Sequence, residues 1–310
     1  MRASPIVSSR RVGFHRMNTR VAPGAAAFGL MVLLCAVWAL QQVAVKVASA
    51  GISPILQAGL RSAAAALLVF AWAHWKGIAL FGRDRSLRPG LLAGLLFGLE
   101  FVFIFVGVEH TTVSRMVVFL YTAPCFTVLG LHLFVPGERM GRLQGGGVLL
   151  AFGGLVLAFL DKATGGGLLG DSFGVLAALL WAATTVVIRA SALAKVTATK
   201  VLLYQLAVSA VVAIPLSWLV GERGIGVLAA STLWAMAFQI VIVAFLSYLA
   251  WFWLLTRYLA GRLLVFSFLT PLFGVGFGML LLGEQPSLRF LAAAAMVVGG
   301  IALVNLPARK

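Results

Sequence analysis

The sequence predicts an all-α integral membrane protein: ten transmembrane helices, built as two inverted five-helix repeats. Three observations carry that prediction. Of 310 residues, 62% are hydrophobic and only 10% charged, whereas a soluble domain is nearer half apolar and a quarter charged. The apolar residues gather in continuous runs of the roughly 20 residues needed to cross about 30 Å of hydrocarbon. They do not alternate as strand residues would. Finally, the landmarks of the first five runs recur in the second five.

In order, the expected spans are 25–47, 55–74, 90–109, 113–134 and 143–160, then 171–190, 199–220, 231–256, 259–281 and 287–306. Each half runs from a polar-striped helix through a second and a long third to a Pro-containing fourth and a Gly-rich fifth. Trp38, Gln41, Gln42 and Lys46 are matched by Trp181, Thr184, Thr185 and Arg189 at one fixed offset. Arg115 and Pro124 are matched by Arg262 and Pro271, Gly137-Glu138 by Gly283-Glu284, and Gly153-Gly154 by Gly299-Gly300. The chain thus divides into a basic tail (1–22, expected to be disordered), a first repeat (23–160), a Gly-rich linker (161–170), a second repeat (171–306) and a short tail (307–310). A unit with an odd number of spans enters the bilayer from opposite sides in its two copies. That is the architecture of secondary transporters, whose substrate site lies at the repeat interface near the midplane.

A formal charge of +16 invites a nucleic-acid reading, and its distribution argues against one. Arg2, Arg10, Arg11, Arg16 and Arg20 lie in the N-terminal tail, and Lys76, Arg83, Arg85 and Arg88 share one loop. Arg139, Arg142, Arg189, Lys195, Lys200, Arg257 and Arg262 fall on the same side of the predicted topology. By the positive-inside rule both termini are cytoplasmic. Ser9-Arg10-Arg11 partly imitates a twin-arginine signal, but the run that follows is long and nine more succeed it, so a topology-anchoring tail is the better reading. Cys35 and Cys125, both inside apolar runs, read as small core residues without metal-ligand spacing. No metal site or cofactor is expected.

Several polar residues interrupt the apolar runs. Trp38, Gln42 and Lys46 share one helical face, as do Trp181, Thr185 and Arg189. An aromatic, a hydrogen-bonding group and a cation in a row suit an amphipathic substrate bearing a carboxylate, although Lys46 and Arg189 lie near helix ends, where snorkelling to the interface is the competing reading. Glu100 sits mid-way along the third run, where a carboxylate is costly and is a functional candidate by default. It is the candidate proton-coupling group, with Arg61 its nearest counter-ion; a purely structural Arg61–Glu100 pair is the alternative. Tyr121, Tyr204, Gln205 and Tyr248 complete the candidate substrate-binding set, against the plainer role of helix–helix hydrogen bonding. Pro124 and Pro271 lack a backbone donor and predict paired bends that serve as gates or as static wedges. Gly90, Gly94 and Gly98 line one face of the third run, and Gly274, Gly276 and Gly278 crowd the ninth, both small-residue packing signals. Glu138 and Glu284 read as helix-start caps.

The series Trp38…Lys46…Pro54…Arg61, followed by Arg115…Pro124…Gly137-Glu138, resembles the drug/metabolite transporter superfamily, specifically its ten-helix EamA-domain branch, over about residues 25–306. The resemblance implies a basket of ten helices with a central cavity that moves small metabolites, often outward. In the second half Arg61 gives way to Tyr204-Gln205. The expectation is therefore a transporter of the bacterial inner membrane, working by alternating access on a small-molecule substrate such as an amino acid or related organic ion. The rivals are a facilitator without ion coupling and a membrane enzyme on a lipid-linked substrate. The latter needs a converging nucleophile, base or metal cluster, which the sequence does not offer; Glu109-His110 stands alone at a helix end.

Overall fold

The computed structural model describes residues 24–82, 84–135, 140–161, 167–257 and 265–305. Among them nine helices are long and apolar enough to cross a membrane, and a shorter apolar helix lies within the ninth expected run. The first half contains α1 (Ala25–Ala48), α2 (Pro54–Trp75), α3 (Leu87–His110), the consecutive α4 (Val113–Leu120) and α5 (Ala123–Phe134), and α6 (Arg142–Phe159). The second contains α7 (Leu168–Ala190), α8 (Ala198–Leu219), α9 (Ala230–Ala237), α10 (Tyr248–Arg257), α11 (Leu269–Leu282) and α12 (Leu288–Asn305). Between α9 and α10 the chain is π-helical over Phe238–Ser247, a local widening that often accompanies functional sites. Both tails, Arg83, Gly137-Glu138, Arg139 and Arg262 lie outside the described residues. Helix α7 begins at Leu168, within the stretch read as linker.

Proline explains the discontinuity of the fourth span. Pro124 cannot donate to the carbonyl four residues back, and the helix stops at Tyr121-Thr122 before resuming with Pro124 in the first turn of α5. Pro271 is likewise in the first turn of α11, directly after a 3-10 turn at Val265–Phe268. Each proline therefore follows an interruption of the regular α-helix. Pro215 sits inside α8, a position that pattern alone did not single out.

The two halves interlock. Helix α12 packs along α6, α7 along α3, α8 along both α2 and α3, α11 along α1 and α4, and α5 along α7. Missing side chains permit the closest of these approaches. A Cβ on Gly94 of α3 would lie 2.6 Å from Val208 Cβ and 2.7 Å from the Tyr204 carbonyl of α8. One on Gly147 of α6 would come within 2.8 Å of the Gly300 carbonyl of α12. In α11, Gly274 and Gly278 meet Val117 and Ser114 of α4, while Gly276 has open space beside it. That corrects the reading of all three α11 glycines as packing residues: positions two apart on a helix do not share a face.

Loops join across the halves at one end. Glu222, between α8 and α9, accepts the backbone N–H groups of Ile55 and Leu56 at the start of α2, at 2.9 and 3.0 Å. Glu284, between α11 and α12, accepts those of Val113 and Ser114 at the start of α4, at 2.7 and 2.9 Å. Each carboxylate satisfies orphan donors of a helix in the other half and faces the positive end of its dipole. At this end, too, Lys46 near the end of α1 reaches the carbonyls of Val108 and Thr111, and the Gly167 N–H before α7 bonds the His110 carbonyl. Hence α1 ends where α7 begins.

Candidate functional site

Polar side chains from both halves meet in the interior. Arg61 of α2 is completely buried, and none of its three guanidinium nitrogens has a hydrogen-bond partner. Its Cζ stands 3.9 Å from the centre of the Phe101 ring and 5.9 Å from that of Phe105, both on α3. These rings stabilise the cation through their π faces, while its N–H donors, which radiate in the guanidinium plane, remain unused. Glu100, next to Phe101, is 5% exposed and lies within electrostatic range of Arg61. Among the described residues the two do not close into an ion pair.

Tyr248, where the π-helical stretch turns into α10, approaches Arg61 and Glu100 without completing a hydrogen bond to the guanidinium. Tyr121, at the break between α4 and α5, lies within range of Glu100, Tyr248, Cys35 of α1 and Thr270 of α11. The Thr270 hydroxyl is buried and unpartnered. So is Oε1 of Gln42, one turn along α1 from Trp38. The Trp38 indole donates to Ser247 Oγ at 2.9 Å and meets Trp251 edge-on, with 6.0 Å between ring centres. Trp38 thereby ties α1 to the π-helical stretch. Of the residues predicted from sequence, Arg61, Glu100, Tyr121 and Tyr248 form one cluster; Trp38 and Gln42 are placed on α1.

The other candidates are engaged elsewhere. The Lys46 ammonium donates to Val108 O at 3.1 Å and Thr111 O at 3.4 Å, so it serves the C-terminus of α3. Thr185 returns its hydroxyl to the Trp181 carbonyl within its own helix, at 3.0 Å. Trp181 instead meets Tyr121 edge-on, with ring centres 5.4 Å apart. Tyr204 packs its ring on Gly90 and places its hydroxyl 3.2 Å from Ser86 Oγ, near Lys200 at the far end of α8. Gln205, half-buried, follows it on the same helix. A face shared in sequence is thus divided in space, because helix-end carbonyls and loop hydroxyls claim its outer members.

Two polar networks escaped sequence reading. In the first, Arg115 of α4 is buried, with Nε 3.0 Å and Nη2 also in contact with the carboxylate of Asp171 on α7. It donates further to Ala158 O at 2.9 Å and Asp161 O at 3.3 Å. Thr111 completes Asp171 at 2.7 Å, and Ser287 completes Asp161 at 2.9 Å. The available signal was scarcity: with only eight acidic residues in the chain, an Asp at either edge of an apolar run is informative. In the second, Gln239 Nε2 of the π-helical stretch donates to Gln57 Oε1 at 3.2 Å, joining the halves again.

Ten apolar segments that interlock around a buried polar cluster, with a charge of each sign inside, define a multi-pass membrane transporter. The chain belongs to the EamA-like transporter family, whose signature matches residues 26–160 and again 168–306, and so to the drug/metabolite transporter superfamily. A transporter of Archaeoglobus fulgidus described as uncharacterized is 26% identical over 282 residues, covering 89% of this chain and 96% of its own length. A Salmonella typhimurium protein named a "probable amino-acid metabolite efflux pump" is 26% identical over 288 residues, covering 88% of this chain and 92% of that one. A solved crystal structure superposes with a TM-score of 0.62 at 21% identity, over 89% of this chain and 93% of that one, a likeness of fold.

Proposed function

We propose that this transporter is a secondary exporter of amino acids or related organic ions, working by alternating access across a bacterial inner membrane with both termini in the cytoplasm. The single observation that carries this reading is the central cluster itself. Arg61 and Glu100, both buried, come from the first half and Tyr248 from the second, in electrostatic reach of one another. A site assembled at a repeat interface is exposed to one side or the other when the repeats rearrange. The meeting of the end of α1 with the start of α7 supports inverted repeats, and the clustered Lys and Arg on one set of loops support the orientation. Breaks beside Pro124 and Pro271 are where the fourth and ninth spans would bend as gates. Outward direction rests on family likeness and on the name borne by the Salmonella relative.

Glu100 is the proposed coupling group, exchanging a proton with whichever side is open. The test is a pH jump in proteoliposomes carrying wild type or Glu100→Gln, with a radiolabelled pool of amino acids and small metabolites. Uptake that follows the proton gradient in wild type and loses that dependence in the mutant is the expected result. Equal, gradient-independent uptake by both would make the protein a facilitator with a structural Glu100.

A further inference from the structure

We propose that Arg61 and Glu100 together form a binding site for a zwitterionic α-amino acid, Arg61 receiving its carboxylate and Glu100 its ammonium; this rests on the transport reading above. The starting point is an unfinished hydrogen-bond inventory. Arg61 is 0% exposed, yet Nε, Nη1 and Nη2 are all without partners. Buried polar groups are almost always satisfied, and a native exception calls for a missing ligand or water. The Phe101 ring, 3.9 Å from Cζ, covers the guanidinium and leaves its edge donors available. A planar fork of N–H groups fits a planar carboxylate with two parallel hydrogen bonds.

Glu100 supplies the second half of the recognition. It lies within electrostatic range of Arg61, and among the described residues neither an ion pair nor a hydrogen bond engages its carboxylate. Two opposite charges held near each other, but not in contact, complement a ligand that carries both signs on neighbouring atoms. Charge balance favours the same ligand. The pair sums to zero, and a zwitterion keeps it at zero, whereas a phosphate dianion or an organic cation would leave net charge buried at high cost. The rings of Phe101, Tyr121 and Tyr248 provide apolar surface for the ligand's side chain.

The experiment measures thermal unfolding of the purified full chain in detergent against the twenty amino acids, their carboxamides and their des-amino acids. At least one amino acid is expected to raise the midpoint, with its amide and des-amino analogue each binding about 10–100-fold more weakly. Arg61→Gln should erase the preference for acid over amide, and Glu100→Gln the preference for amine over des-amino compound. Arg61→Lys, which keeps the charge but not the fork, should bind with intermediate affinity. All three are judged only if they unfold cooperatively; the double variant Arg61→Met/Glu100→Leu, which removes both charges and is expected to be at least as stable as wild type, serves as a second binding-negative variant. If no amino acid stabilises wild type, or if the Gln variants keep both preferences, the site is overturned. Binding that depends on both residues but yields no flux in vesicles would sink the transport reading and leave the site standing. Flux indifferent to Arg61 would do the reverse.

Discussion

Two arginines, Arg61 and Arg115, are buried to the same degree in this protein and live under opposite conditions. Arg115 donates to a carboxylate and two backbone carbonyls, and the acids around it are themselves completed by Thr111 and Ser287. Arg61 has aromatic rings beside it and no hydrogen-bond partner. The first joins α4, α6 and α7 into a finished unit at one end of the bundle. The second keeps its donors unused at the centre. Burial alone does not tell the two apart; completion of their hydrogen bonds does.

The comparison breaks most visibly if the two are replaced by the same apolar residue. Arg115→Met removes the cation that the buried Asp171 and Asp161 carboxylates share and should destabilise the protein by about 3–5 kcal/mol. Thermal or urea unfolding in detergent reads this directly, and an unchanged midpoint would mean that the network is ornamental. Replacing the Arg61–Glu100 pair as a whole, Arg61→Met with Glu100→Leu, should go the other way. Removing both buried charges at once leaves no lone carboxylate behind and is expected to be neutral or stabilising, by up to roughly 1–4 kcal/mol, while substrate transport is lost. Destabilisation as large as that of Arg115→Met would show that the pair holds the fold and would merge the two cases.

How much of this was legible in the sequence follows from the same physics. Ten apolar runs and a repeated set of landmarks were sufficient for the fold, because hydrocarbon demands long, internally hydrogen-bonded segments. Arg61 and Glu100 stood out because a charge in the middle of such a run has few innocent explanations. Asp171 did not, because it occupies the first turn of α7, where an acid is ordinary. Lys46 fell on the expected face yet was claimed by the end of α3, and Tyr204 by Ser86. Those outcomes depend on which helix ends and loops arrive beside a residue, which periodicity does not encode. The π-helical stretch at Phe238–Ser247 was invisible for a related reason: its residues are the ordinary apolar ones of a membrane span, and Gln57 and Trp38 from the other half bond to it.

A smaller effect sharpens the view of the end that Arg115 closes. Glu284 accepts from Val113 N, Ser114 N and the Ser114 hydroxyl, and so caps α4 from the other half of the chain. Glu284→Gln keeps the shape and removes the charge opposite the helix dipole, at a cost of about 1 kcal/mol. The accompanying expectation is faster labelling of a cysteine placed at Ser114 by a membrane-impermeant thiol reagent. A loss as large as that of Arg115→Met would mean that the closure is one cooperative unit. Unchanged labelling would mean that Glu284 caps a helix without holding the end shut.

At the opposite end, pH probes a different ion pair. Asp84, half in solvent, pairs with Lys200 at 2.8 Å and also accepts from Ser86. Those contacts, with the Lys200 bond foremost, hold the Asp84 carboxyl well below the usual carboxylate range. A group whose folded value is depressed contributes its stability above the unfolded value, near 4, and loses it as pH falls through the folded one. The unfolding midpoint of wild type should therefore decline on acidification in part through Asp84, and Asp84→Asn should remove that part, being slightly less stable at neutral pH and equal in strong acid. Identical pH profiles would show that the pair contributes nothing. Salt separates the two further: a half-exposed pair is screened more by added electrolyte than a buried one, so the Asp84 contribution should weaken at high ionic strength while that of Arg115 persists. Among the described residues, then, salt and pH together should distinguish the half-exposed Asp84–Lys200 pair from the buried Arg115 network.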